Sequence, residues 1–317
     1  MNFQVLGTGH YVPERIVTND ELSTMVDTSD EWITRRVGVK QRHVCTSETT
    51  AEMAYQAALQ ALEMADTTVD QLDMIICSTV SGDNICPPLA CSVQMLLGAS
   101  CPAMDVNAAC PAFLYVMDTA AGYFARGKVQ KMLIIGSERM SRMLDWSDRS
   151  TCVIFGDGAG AMVLGEGDCY LSSVFYTKGN EETIKIAAFA GMSPFYQNEH
   201  DKPYVQMEGQ ETFKFAIGAI CRDLQQVIAD AGLLESDISW VVPHQANIRI
   251  IESAIRKMDI APEKFCINIE KYGNTSSASI PLLVDELNRS GKLHRGDYLA
   301  LCSFGGGLAS AACILKW

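Results

Sequence analysis

Residues 58–79 read ALQALEMADTTVDQLDMIICST, and residues 224–245 read LQQVIADAGLLESDISWVVPHQ. Each stretch has apolar residues at helical spacing, a short polar connection, and then a four-residue apolar run. At an offset of 166 residues, Leu62, Ala65, Leu72, Ile75 and Ile76 fall on Ile228, Ala231, Ile238, Val241 and Val242. The same offset lays Met132–Ser137 (MLIIGS) on Tyr298–Ser303 (YLALCS), and Cys110 on Ser276. This points to a duplicated chain with halves 1–167 and 168–317.

Outward from that pair, helical and strand periods alternate. In the first half 3–9, 73–79, 103–107, 131–137 and 158–165 read as strands, and 50–66, 88–97 and 111–126 as helices. In the second, 169–177, 239–243, 298–303 and 308–316 read as strands, and 207–232, 247–258 and 277–290 as helices. Such alternation predicts an α/β protein with helices covering sheets. The all-apolar MLIIG and WVVP runs predict strands buried on both faces.

Bulk composition sets outer limits. With 48% hydrophobic and 20% charged residues, the 317-residue chain has the profile of a soluble globular protein. It has no run near 18 uncharged apolar residues, so no membrane-spanning helix is expected. MNFQVLGTGHYVPERIV reads as a first strand and not as a signal peptide. A net charge of −13 argues against nonspecific nucleic-acid binding, which depends on lysine and arginine neutralising phosphates. None of the twelve cysteines forms a C-x-x-C pair, and several sit in apolar runs. That use suggests reduced thiols and a cytoplasmic setting. His10, His43, His200, His244 and His294 are too scattered to suggest a zinc site.

Four motifs carry candidate chemistry. In VNAACPAFLYVMDTAAGYFA (106–125) a strand gives way to a helix at Cys110, with Pro111 suited to the first helical position. A thiol at a helix N-terminus faces the positive end of the dipole, which favours thiolate. The alternative is a buried structural cysteine. In VVPHQANIRIIESAIRK (241–257) His244 directly follows an apolar strand, where α/β sheets gather catalytic groups, although a capping histidine fits there too. In GNTSSAS (273–279), Gly273-Asn274-Thr275-Ser276 precedes a helix and reads as an N-cap cluster, with Asn274 the member open to another role. In SFGGGLA (303–309) three glycines allow close approach of backbone to a ligand, or simply a hairpin turn. IFGDGAGAMVLG (154–165) contains G-x-G-x-G, but a strand follows it and not a helix, so a tight turn fits better than a dinucleotide site.

Taken together, the chain resembles the β-ketoacyl-[acyl-carrier-protein] synthase III family. The likeness runs through TSDEWITRRVGVKQRHV (28–44), AAC (108–110), DRSTCVIFGDGAGAMVLG (148–165), MEGQETFKFA (207–216), PHQANIRI (243–250), GNTSSAS and SFGGGLA. The resemblance implies a thiolase-like fold, with two duplicated halves in a five-layer αβαβα arrangement, and a homodimer. It implies decarboxylative condensation of an acyl-CoA primer with malonyl-acyl carrier protein, without cofactor or metal. It assigns Cys110 as nucleophile, His244 and Asn274 as its catalytic partners, and the Cys110 and Gly306 amides as the oxyanion hole. Thr28, Trp32, Arg36 and Arg149 match the CoA site. Lys214, Arg249, Arg256 and Lys257 match the carrier-protein surface, the last three on one predicted helix. Cys86 and Phe304 match the acyl pocket. A thiolase-fold acyltransferase and a condensing enzyme of secondary metabolism are the competing readings; the former need not keep both His244 and Asn274.

Two departures stand out. Where the family usually continues Cys-Ser-Gly-Phe, this chain has Cys110-Pro111-Ala112-Phe113. Cys86 replaces a bulky residue that, in the family, reaches across the dimer to floor the acyl pocket. The expectation is a deeper pocket that accepts primers longer than acetyl.

Overall fold

The computed structural model describes residues 2–187 and 203–317. Strand β1 (Asn2–Tyr11) leads into a small surface sheet of β2 (Ile16–Thr18) and β3 (Gln41–His43), between which lie helices α1 (Asn19–Ser23) and α2 (Asp30–Arg36). Helix α3 (Thr50–Met64) starts at a capping box: the Thr49 hydroxyl accepts from the Glu52 amide while the Glu52 carboxylate accepts from the Thr49 amide. Then follow β4 (Met74–Ser78), α4 (Leu89–Leu97), β5 (Ala103–Val106), α5 (Ala112–Ala125), β6 (Lys131–Arg139) and β7 (Asp157–Gly167). The second half repeats the plan with β8 (Tyr170–Asn180), a short pair β9 (Ile184–Ile186) and β10 (Val205–Met207), then α6 (Gly209–Asp230), β11 (Trp240–Pro243) and α7 (Ile248–Ile255). It closes with α8 (Ile269–Tyr272), α9 (Ser279–Arg289), β12 (Tyr298–Gly305) and β13 (Gly307–Lys316).

The two main sheets have matching topology. The first runs β1-β7-β6-β4-β5 and the second β8-β13-β12-β11. The place of β5 in the second is taken by a lone parallel bridge between Val241 and Phe265. Helices α3 and α4 pack on the outer face of the first sheet, through residues such as Ala57, Ala58, Leu62 and Val93. Helices α6 and α7 cover the outer face of the second, through Ile220, Leu224, Ile251 and Ala254. Between the sheets lie α5 and α9, whose Phe113, Leu114, Met117, Ile280 and Leu283 join both inner faces in one core. Five layers result. A helix in the central layer must be apolar nearly all round. Accordingly Phe113, Leu114, Val116 and Met117 of α5 are all fully buried, each contributing roughly 1.5–3 kcal/mol of transfer free energy.

The repeat needs one correction. Offset 166 holds for β4 and β11, where Ile76 and Val242 both face the central layer. At the next strand it slips by one: Met132 pairs with Met74, whereas Leu299 pairs with Trp240, and Met132 and Leu299 share the central core. Side chains alternate faces along a strand, so aligning Met132 with Tyr298 puts an inward residue on an outward one. The Cys110 turn follows the shifted count. Ala109 (φ 51°) and Ser276 (φ 49°) occupy the same left-handed conformation three residues before α5 and α9 begin. Cys110 therefore corresponds to Ser277, not Ser276. The G-x-G-x-G run is not itself the tight turn expected: Gly156 precedes β7, and Gly158 and Gly160 pair within it, opposite Glu138 and Gly136. Its Gly160 lies against α9, where a Cβ would stand 2.5 Å from the Leu282 amide nitrogen.

Candidate active site

Both duplicated turns point into the central layer and meet there. The strand–turn–helix path at Cys110 is set by Asn107, whose side-chain oxygen accepts from the Ala109 amide at 3.1 Å. The left-handed Ala109 costs on the order of 1–3 kcal/mol, a strain found where a side chain must be aimed. From the opposite turn Ser276 donates its hydroxyl to the Cys110 sulfur at 3.6 Å. Gly305, at the end of β12, lies so close that a Cβ there would be 2.9 Å from both the Cys110 nitrogen and its Cβ. Among the described residues no backbone carbonyl accepts from the Cys110 or Gly306 amide, which suits a pair of oxyanion donors. The glycine run is also the β12–β13 hairpin, so the turn and close-approach readings both hold.

His244 leaves β11 with its amide donated to the Cys302 carbonyl at 2.8 Å. Its ring is buried, edge-on to Phe304 with centroids 5.5 Å apart. Nδ1 lies 2.6 Å from the Ser279 hydroxyl, and Nε2 has no partner among the described residues. Burial pushes the imidazole down to about 3, so the ring is neutral. Asn274 is fixed at both backbone ends, donating to Ile154 at 2.9 Å and accepting from Gly156 at 3.1 Å. Its Oδ1 accepts from the Ser276 amide at 2.8 Å, which turns the Nδ2 donors the other way.

One cleft of about 1860 Å³ holds all of these groups. Cys110, His244, Asn274, Phe304 and the glycine run line it, together with exposed Trp32, Arg36 and Lys214. Its apolar walls include Ile184, Ile186, Val205 and Met207 from the β9–β10 pair.

The thiolate expectation is overturned. Cys110 can be reached from the cleft, yet burial pushes its thiol up to about 11. The Ser276 hydrogen bond opposes that shift and the nearby Glu138 charge adds to it. Desolvation is the largest influence on the group, so the resting form is the thiol. Alkylation of Cys110 by iodoacetamide should therefore rise about tenfold per pH unit from pH 7 to 10, because thiolate is the reacting form. Peptide mass mapping checks this; a plateau at neutral pH would mean that the dipole prevails.

The other nominated residues divide into two groups. Arg149 rests over the Trp32 ring at 5.7 Å and donates to the Asp27 carbonyl at 2.6 Å. A flat base placed between them would need two stacking gaps of roughly 3.5 Å each, so Arg149 would have to lift, against an exposed ion pair and a hydrogen bond to the Asp27 carbonyl. Thr28 and Arg149 stand outside the cleft lining, whereas Trp32 and Arg36 belong to it. Arg249 packs over the Phe213 ring at 5.2 Å. Helix α7 ends earlier than expected, at Ile255, so Arg256 is its cap and Lys257 lies beyond it. Three residues on one helix is thus corrected to one in its first turn and two at its C-terminal end, where cations suit the dipole. Cys86 is exposed and does not line the cleft of its own chain.

Sequence reading missed three residues. Ser276 passed as a helix cap, the commonest role for serine in that position, and Ser279 fell inside the helix expected at 277–290. Glu138 gave no signal, since a carboxylate at a strand end is ordinarily solvated. Here it is fully buried, accepting from Ser81 Oγ at 2.6 Å, the Val80 amide at 3.0 Å and Ser277 Oγ at 2.8 Å. It thereby ties the turn after β4 to the turn of the second half. Among the described residues no group of His, Cys, Asp and Glu is arranged to hold a metal, and no helix is long and apolar enough to cross a membrane. His200 lies outside the described residues.

Five layers, a duplicated chain and a cysteine facing His244 and Asn274 across the halves define a condensing enzyme of the thiolase fold. Profiles described as 3-oxoacyl-[acyl-carrier-protein (ACP)] synthase III and its C-terminal part match residues 104–179 and 228–317. The chain is 42% identical to the β-ketoacyl-[acyl-carrier-protein] synthase III of Clostridium acetobutylicum, over 99% of this chain and 98% of that one. It is 43% identical to that of Oceanobacillus iheyensis, over 100% and 99%. The crystal structure of 3-oxoacyl-[acyl-carrier-protein] synthase III from Aquifex aeolicus superposes with a TM-score of 0.93 at 40% identity, covering 99% of this chain and 100% of that one. The chain belongs to the β-ketoacyl-[acyl-carrier-protein] synthase III family, whose members are acyltransferases of the condensing type.

Proposed function

We propose that Cys110, His244 and Asn274 divide the two half-reactions between them. The Cys110 sulfur attacks an acyl-CoA thioester, the CoA sulfur leaves and takes up the thiol proton, and the acyl group stays on Cys110. The Cys110 and Gly306 amides stabilise the tetrahedral oxyanion. Malonyl-acyl carrier protein then loses CO₂, and the enolate oxygen accepts hydrogen bonds from His244 Nε2 and Asn274 Nδ2. The enolate carbon attacks the acyl group, the carbon–sulfur bond breaks, and Cys110 leaves as thiolate and takes up a proton from water, giving a 3-oxoacyl-acyl carrier protein. The carrying observation is that His244 and Asn274, each held by a partner at Nδ1 or Oδ1, line one cleft with Cys110. Two fixed donors are what decarboxylation needs and what simple acyl transfer does not. No step calls for a metal or a redox cofactor.

Trp32 and Arg149 receive the adenine, with Arg36 and Thr28 toward the phosphates. Lys214, Arg249, Arg256 and Lys257 dock the acidic carrier protein, as local cations on a chain of net charge −13. Phe304 walls the acyl pocket, and Cys86 of a second copy floors it in a homodimer. The free thiols fit a cytoplasmic enzyme. The halves 1–167 and 168–317 are the structural repeat, since every strand of each main sheet falls within one of them.

Incubation with acyl-CoAs of two to eight carbons, followed by mass measurement at Cys110 and then malonyl-acyl carrier protein, tests this reading. Hexanoyl and octanoyl groups should load at rates comparable to acetyl. Strict acetyl preference overturns the role of Cys86, and a loaded enzyme that forms no 3-oxoacyl product overturns condensation.

A further inference from the structure

We infer that Ser279 sets the tautomer of His244 by donating its hydroxyl proton to Nδ1, so that the ring presents Nε2–H to the cleft. The inference builds on the donor role proposed for His244. A neutral imidazole has one N–H and one bare nitrogen, and only a hydrogen-bond partner decides which is which. Nδ1 has a single partner, the Ser279 hydroxyl at 2.6 Å, and that hydroxyl has no other partner among the described residues. Two arrangements are available. If Nδ1–H donated to Ser279, the serine proton would be buried without an acceptor, and Nε2 would be bare. If Ser279 donates, both of its near atoms are satisfied, and the one donor left over, Nε2–H, belongs to an atom that is itself buried and unpartnered. Buried donors are rarely left unmade unless a ligand completes them.

The neighbouring donor is prepared in the same way. The Ser276 amide occupies Asn274 Oδ1 at 2.8 Å and leaves Nδ2 for the cleft. Both serines come from the turn and first residue of α9. One short segment thus supplies a donor to Nδ1 of one group and Oδ1 of the other, and both residues line the same cleft. A bare Nε2 would instead make His244 a base toward Cys110 and would repel an enolate oxygen. Ser279 is therefore a positioning residue. It touches no reacting atom and acts through the ring.

The test uses the full chain labelled with ¹⁵N-histidine, with the His244 signals assigned by their loss in a His244→Ala variant. Long-range ¹H–¹⁵N correlation should report protonated Nε2 and bare Nδ1 in the unmodified enzyme. In Ser279→Ala the tautomer should shift toward a mixture, and decarboxylation of malonyl-acyl carrier protein should fall about tenfold more than acylation of Cys110. Protonated Nδ1 in the unmodified enzyme overturns the inference. So does a Ser279→Ala enzyme that keeps both the Nε2–H tautomer and its decarboxylation rate. If that variant fails to fold, the spectrum of the unmodified enzyme decides. Were the enzyme to show no decarboxylation at all, the donor role of His244 would fail, while the spectrum would still decide what Ser279 does.

Discussion

Replacing Asn274 or His244 with alanine should lower the rate of malonyl decarboxylation by about 10²–10³-fold, the usual loss when one fixed oxyanion donor is removed. Loading of Cys110 from acyl-CoA should suffer far less, because its charge develops at the Cys110 and Gly306 amides. The measurement is release of labelled CO₂ beside mass gain at Cys110, from the same preparations. Equal losses in the two steps would falsify the division of labour. The pH profile sharpens the expectation. Burial holds His244 near 3, so the neutral ring persists throughout pH 5–8. Decarboxylation should show no inflection there from this histidine, whereas a solvated imidazole would titrate near 6.5.

The second large effect is expected at Gly305. An alanine there brings its Cβ to 2.9 Å from the Cys110 nitrogen and Cβ, and to 3.0 Å from Pro111 Cδ. Two of those atoms are held by the turn and its proline, so the nucleophile must give way. A displacement near 1 Å costs about 100-fold in rate, while overpacking costs about 1–3 kcal/mol of stability. Gly305→Ala should thus load Cys110 about 100-fold more slowly, yet melt only a few degrees lower. Rapid-quench mass spectrometry and a thermal melt separate the two. Normal loading in a folded variant would mean that the glycine serves the hairpin alone.

Much of this was legible in the sequence because its signals are local. Apolar periods located every strand and helix of the two main sheets, since each buries a face whose spacing is set by its own geometry. The strand-end positions of Cys110 and His244 were visible for the same reason. The one-residue slip was not, because MLIIGS and YLALCS are apolar at nearly every position and carry little face information. The thiol's protonation was also out of reach. It depends on how densely other elements surround Cys110, and a helix start viewed alone supplies only the favourable part. Ser279 looked like an ordinary residue of the expected helix 277–290 because its partner, His244, lies 35 residues away in the chain. The short β9–β10 pair, which lines the cleft, was missed because three-residue strands carry no period.

The contact between Ser276 and Cys110 joins two turns that the duplication made alike. In a dimer of two identical half-length chains, symmetry would oblige both turns to be the same. A cysteine in one turn would then require a second at the position that Ser277 holds in the other. Fusion into one chain removes that obligation. One turn could keep sulfur while the other became hydroxyls and an amide, so that attack and charge stabilisation could be tuned by separate mutations. The asymmetry of the catalytic centre is thus something that only a covalently linked repeat can encode.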